Sequence, residues 1–192
     1  MSIPKFNPRN IVLLIIIVAV ATLRLVSNLG EAMGPLANYT PIAAMALFGG
    51  AYFAGNIKPY AFPLLTLLVS DVILSYTVYA PYREGILYGG WYYTYGAFAL
   101  MAICGKYIIH KVTVQRVGTA AIVAVFIHWI VTDFGVWLQG TMYPKTLAGF
   151  NTCLVAAIPF EWQLLTSTIM YSSIMFGVFE LMQQKYPRLQ LA

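Results

Sequence analysis

Apolar runs about as long as a bilayer is thick recur along this chain, and that recurrence leaves few folds open to it. A helix crossing a hydrocarbon core of roughly 30 Å needs about 20 residues. Six segments approach or exceed that length: Ile11 to Asn28, Pro41 to Gly55, Tyr60 to Tyr79, Trp91 to Ile109, Val117 to Leu138 and Ile158 to Met182. Charged residues make up 9% of the 192, far below the roughly 25% typical of soluble domains, and mean hydropathy is +0.76. The sequence predicts an all-α polytopic membrane protein, a single domain over residues 1–192 with six transmembrane helices.

Three segments need separate treatment. Lys5 and Arg9 precede the first run, as in a secretory signal peptide. The run exceeds the usual length of about 7 to 15 residues, however, and no small-residue cleavage site follows, so it reads as the first span. The second run is short, with Thr40 and Pro41 as a cap and first-turn pair. Thr146 to Ala157, bounded by Pro144 and Pro159, is apolar but too short to cross, and predicts an interfacial or re-entrant helix before the last span.

The basic residues test the span count independently. Lys5, Arg9, Lys58, Lys106, Lys111, Arg116, Lys185 and Arg188 all fall on one side of a six-span arrangement, against Arg83 and Lys145 on the other. Positive loops are retained inside, so both termini are expected in the cytoplasm. No long basic run suggests nucleic acid as a partner. The two cysteines, Cys104 and Cys153, fall at different depths and are expected to be unpaired apolar fillers. There is no phosphate-binding loop, HExxH, nucleophile elbow or Cys-pair spacing, so no catalytic residue, metal or cofactor is expected and the chain does not read as an enzyme.

The costly residues are those inside the bilayer. Arg24 lies 13 residues past Ile11, Asp71 11 past Tyr60 and Asp133 16 past Val117, while Glu161 enters the sixth span from outside. All four fall between the midplane and the outer surface, and the inner half has comparable charges only at its rim, Lys106 and Glu180. A pocket open outward and closed below is the arrangement this predicts.

Helical spacing adds neighbours. Arg24, Ser27, Asn28 and Glu31 form one polar stripe, and Asp133 shares a face with Trp129 and Trp137. His128 is about 140° from Asp133 around the helix and is a possible proton-coupling group. Eight aromatic residues (Tyr76, Tyr79, Tyr82, Tyr88, Trp91, Tyr92, Tyr93 and Tyr95) crowd the outer end of spans three and four. An aromatic belt at the headgroups accounts for single members, and a Gly-punctuated lid that stacks on a planar ligand accounts for the group. The candidate ligand-binding set is Arg24 for an anionic group, Asp71 and Asp133 for donors or a cation, Trp91, Tyr92, Trp129 and Trp137 for stacking, with Asn28 and Glu161 beside them. Each charge also has a structural reading: Arg24 paired with Asp71 or Asp133, Glu161 favoured by a helix dipole, His128 hydrogen-bonded in place.

Ala46, Gly50 and Ala54 make a small-residue ridge on the second span, and Ala120 and Ala124 a shorter one on the fifth. Such a ridge packs inside the bundle by default or presents a docking groove to another membrane subunit, with the second span the better docking candidate.

The stretches Asn38-Tyr39-Thr40-Pro41-Ile42-Ala43-Ala44-Met45-Ala46-Leu47-Phe48-Gly49-Gly50-Ala51-Tyr52-Phe53, Ser70-Asp71, Thr132-Asp133-Phe134-Gly135-Val136-Trp137-Leu138, Tyr143-Pro144-Lys145-Thr146-Leu147-Ala148-Gly149 and Ala156-Ala157-Ile158-Pro159-Phe160 resemble a bacterial family of unknown function catalogued among transport proteins. The likeness covers most of the chain and carries no substrate. More distantly, six spans with an outward pocket resemble the S components of energy-coupling factor vitamin transporters. That resemblance implies capture of a nutrient from outside the bacterial cytoplasmic membrane and docking on a coupling subunit driven by ATPases. The first span departs from it, lacking the Ala-xxx-Ala pattern of the docking helix.

Three functions remain in view: a capture subunit for a small aromatic or heterocyclic nutrient, an accessory structural subunit of a larger membrane complex, and a proton-coupled transporter using Asp71, Asp133 and His128.

Overall fold

The computed structural model describes residues 7–29 and 39–190, the side chain of Ser27 excepted. Glu31, expected on the polar stripe of the first span, lies outside the described residues, as does the side chain of Ser27. Among the described residues six α-helices follow in order: α1 Pro8–Leu29, α2 Ile42–Tyr52, α3 Lys58–Ser75, α4 Trp91–Ile108, α5 Val114–Gln139 and α6 Leu147–Lys185. The remaining regular structure is a two-residue hairpin, β1 Arg83–Glu84 against β2 Leu87–Tyr88, and short 3₁₀ turns at Ala80–Tyr82 and Pro187–Leu189. Among the described residues four helices, α1, α3, α5 and α6, are long and apolar enough to cross a membrane. The chain is a membrane protein of all-α class.

The helices alternate in direction. Arg9 on α1 reaches the end of α2 and the segment after α6, while Arg24 meets Asp71 near the far end of α3. His128 and Trp137 on α5 meet Glu161 and the turn before α6, and Tyr52 meets Glu180. The described N- and C-terminal segments therefore lie at one end, called inner below. The other end is called outer.

α2 is the centre of the bundle, packing against the other helices from α1 to α6. Its residues Ala43 to Phe48 are almost wholly buried, as expected of a helix apolar on every side. It has only 11 residues, about 16 Å, against the span of Pro41 to Gly55 read from hydropathy. The backbone turns extended at Phe53, so the apolar run outlasts the helix. α4, rich in tyrosine, has 18 residues but falls outside the set apolar enough to cross unaided.

The expected docking ridge is corrected here. Ala46 and Gly50 are buried between α2 and α4, and Ala54 is exposed beyond the end of the helix. A Cβ on Gly50 would lie 2.1 Å from the Ala102 carbonyl oxygen, and one on Gly105 2.4 Å from that of Leu47. The ridge is the means by which two backbones approach, and it offers no groove to a partner. Gly50→Val is expected to lose about 1–3 kcal/mol or more, because the obstacle is backbone and not a movable side chain; thermal unfolding in detergent measures it.

The separate interfacial helix before the last span is also corrected. Thr146 caps the helix by accepting from the Gly149 N–H at 3.2 Å, and α6 then runs 39 residues without a break, through Pro159. A proline removes one backbone donor but does not end a membrane helix when the freed carbonyl is satisfied by its surroundings.

Candidate functional site

The residues singled out by charge gather into two clusters on different helix sets. The first joins α1, α3, the hairpin and α4. Arg24 Nη2 lies 2.7 Å from Asp71 Oδ1, and Arg24 Nη1 donates to Ser70 Oγ at 2.6 Å. Tyr95 and Tyr88 donate to Asp71 Oδ2 at 3.2 and 3.4 Å. Asn28 donates to the Arg24 carbonyl at 2.8 Å and accepts from Tyr79 at 2.7 Å.

Asp71 is 1% exposed and Arg24 is buried beside it. A buried pair of this kind holds only when each charge has further hydrogen bonds, and here Ser70, Tyr88 and Tyr95 supply them. Among the described residues the ion pair is almost wholly enclosed. The hairpin contributes directly: Leu87 is buried, and Tyr88 beside it reaches down to Asp71. Gly90 takes a φ of 71° to turn the chain into α4. Burial, with the Asp71 charge second, raises the Tyr88 phenol well above its ordinary range. The stability this phenol contributes is therefore complete below pH 10.0, its ordinary value, and is lost as pH rises through the elevated one. An alkaline melt of Tyr88→Phe should be flatter than that of the parent chain.

The second cluster lies between α5 and α6. His128 Nδ1 is 2.8 Å from Glu161 Oε1. Glu161 is 8% exposed, and its other oxygen, Oε2, is buried without a hydrogen-bond partner. Asp133, half-buried on the same helix as His128, lies 3.8 Å from Cys153 Sγ through its Oδ1. Trp129 donates its indole N–H to the Leu154 carbonyl at 3.0 Å. A cavity of about 190 Å³ opens beside this cluster on the flank of the bundle, lined by Val125, Phe126, Trp129, Glu161, Trp162 and Leu165 among others. Nearer the inner end the same two helices part around a larger apolar groove of about 480 Å³, bounded by Gly118, Ala121, Ser172 and Gly177.

The expected stacking residues divide. Trp137 donates to the Pro144 carbonyl at 2.8 Å and packs on Phe134 and Phe150, so it holds the turn between α5 and α6. Trp91 and Tyr92 are 42% and 49% exposed at the outer rim, with Tyr92 in contact with Gln139. Only Trp129 borders the cavity. Both cysteines are free. No group of three or more His, Cys, Asp or Glu among the described residues is arranged to hold a metal.

Sequence reasoning missed a third cluster at the inner end. Arg9, read only as one of the basic residues that precede the first span, is 4% exposed. It donates to the carbonyls of Leu189 and Tyr52 at 2.6 and 3.1 Å and to Gln183 Oε1 at 3.1 Å, over the rings of Tyr52 and Phe179. Tyr52 in turn donates to Glu180 Oε1 at 2.5 Å. It also missed Tyr95 and Ser70 as partners of the ion pair, although Ser70 adjoins Asp71 in sequence and hinted at it.

No curated protein and no solved structure matches the chain. The family described as "Family of unknown function (DUF6580)" matches residues 4–189. With nearly its whole length so matched, the chain belongs to that family.

Proposed function

We propose that this chain is a non-catalytic, ligand-capturing subunit of a membrane transport system. It takes a small aromatic or heterocyclic, vitamin-like nutrient from the outer side of the bacterial cytoplasmic membrane. The observation that carries the reading is Glu161: a carboxylate nine-tenths buried, half satisfied by His128, with its second oxygen buried and unpartnered, on a residue that contributes to the wall of a cavity. Native proteins seldom leave such a group unpaired unless a bound species completes it. The Arg24–Asp71 pair then serves as framework and the α5–α6 cluster as the contact with ligand.

Six crossings with cytoplasmic termini, the plan of the S components to which the sequence was likened, are supported by the meeting of the described terminal segments at one end of the bundle. Lys58, Lys106, Lys111, Arg116 and Lys185 also lie on inner-end elements. A coupling subunit with its ATPases would have to approach by a lipid-facing flank, since the α2 ridge is occupied by α4. The full compensation of Arg24 by Asp71 favours a second reading, an accessory subunit whose charges only hold helices together.

Mass spectrometry of small molecules retained by the detergent-purified chain separates the two. Capture predicts a monomer that carries a small molecule, lost in Glu161→Gln. Scaffolding predicts a chain isolated only in a fixed complex, with nothing retained.

A further inference from the structure

Two glycines on the flank of the bundle have no packing role within this chain. A Cβ added to Gly118 on α5 or to Gly177 on α6 would meet nothing within 4 Å, whereas at Gly50 and Gly105 it would strike backbone. Glycine weakens a helix relative to alanine, so free space alone does not account for it. Both glycines line the apolar groove of about 480 Å³ near the inner end, with Ala121 on the α5 wall and Ser173 on the α6 wall. Ser173 and Gly177 stand four residues apart and are both exposed, so one edge of the groove is small-walled and open on the bundle surface.

Two polar observations in the same groove are independent of the small residues. Ser172 is 1% exposed and its Oγ has no hydrogen-bond partner. Its neighbours Ser167, Thr168 and Ser173 all donate back to carbonyls of their own helix, and Ser172 does not. Glu180 stands at the inner end of the groove, partly exposed, and the bonds it accepts from Tyr52 and Gln183 both go to Oε1. Arg9 lies close enough to act on Glu180 by charge, but its guanidinium donates to Leu189, Tyr52 and Gln183, and no ion pair joins the two among the described residues.

Small walls with a carboxylate at the inner mouth discriminate among occupants. An acyl chain fills apolar space whatever the walls are made of, and leaves both the hydroxyl and the carboxylate unanswered. A second copy brings the same concave face, and two grooves set against each other about a two-fold axis remain unfilled. A helix answers each feature. Glycines on both walls let its backbone approach closely, and a basic side chain, common at the cytoplasmic ends of membrane helices, meets Glu180. We propose that the groove between α5 and α6 is the docking site for a transmembrane helix of another subunit, with small residues on its contact face and a lysine or arginine at its inner end. This rests on the reading that a further membrane subunit approaches by a lipid-facing flank, and not on nutrient capture itself.

The test uses the full chain in its native membranes, with the photo-crosslinker p-benzoylphenylalanine in place of Val114, 92% exposed at the groove mouth, or of Val178, 44% exposed outside the groove. One discrete protein adduct is expected from Val114, and none of that mass from Val178. Mass spectrometry of the linked peptide should place it in an apolar span with small residues at four-residue spacing and a basic residue at its inner end. Gly177→Leu, which enters open space, should cut the yield about tenfold or more while the isolated chain melts no lower than the parent. Glu180→Gln keeps an acceptor for Tyr52 and should cut the yield about two- to fivefold. Adducts only with phospholipid or with a second copy, a yield unchanged in both variants, or a linked span with no basic residue overturns the inference. A small molecule retained by a chain that forms no adduct leaves the capture reading standing and sinks this one. An adduct from a chain that retains nothing does the reverse.

Discussion

Replacing Asp71 by Leu is expected to lower stability by about 3–5 kcal/mol, because Arg24 is then left charged, enclosed and without its partner. Arg24→Leu should cost about as much, since the Asp71 carboxylate keeps only two tyrosine hydroxyls. The double variant Arg24→Leu/Asp71→Leu should recover most of the loss. Removing both charges also removes the penalty of holding them away from water. Thermal or denaturant unfolding in detergent gives the three values and closes the cycle. Additive losses in the double variant, or an Asp71→Leu chain within about 0.5 kcal/mol of the parent, would show that the pair does not hold α1 to α3.

The second large effect is expected at the other end of the bundle. Arg9→Ala removes a guanidinium that serves three acceptors from α2, α6 and the segment beyond, and should also cost about 3–5 kcal/mol. Arg9→Lys keeps the charge but not the planar fork, so it should fall between the two. If the clamp is as drawn, limited proteolysis of Arg9→Ala will cut first near Leu189, which is buried in the parent chain. Unchanged cleavage there would mean that Arg9 does not retain that segment.

What could be read from the sequence follows the range of the forces involved. The helices at α1, α3, α4 and α5 were legible because length and apolarity act locally, and the alternating direction followed from the basic residues between them. The end of α2 was not, because Phe53 and Ala54 are as apolar as the residues before them and the backbone turn at Phe53 has no side-chain signal. Pro159 misled for the opposite reason: proline is a strong breaker in water, yet α6 passes through it. The pairing of Arg24 with Asp71 was one of two pairings that depth allowed, and Glu161 with His128 was not distinguished from a dipole effect. Arg9 was illegible in principle. Its partners stand 43 to 180 positions away, and nothing near it in the chain announces that it is covered.

Through Arg9 and the Leu189 carbonyl, the chain is already closed into a ring in all but the covalent sense. A short linker from Gln190 to Asn7, with a new opening at the exposed turn Gly55 to Ile57, should therefore give a circular permutant of the same bundle. That turn lies at the same end of the bundle as Asn7 and Gln190, so every helix would keep its direction.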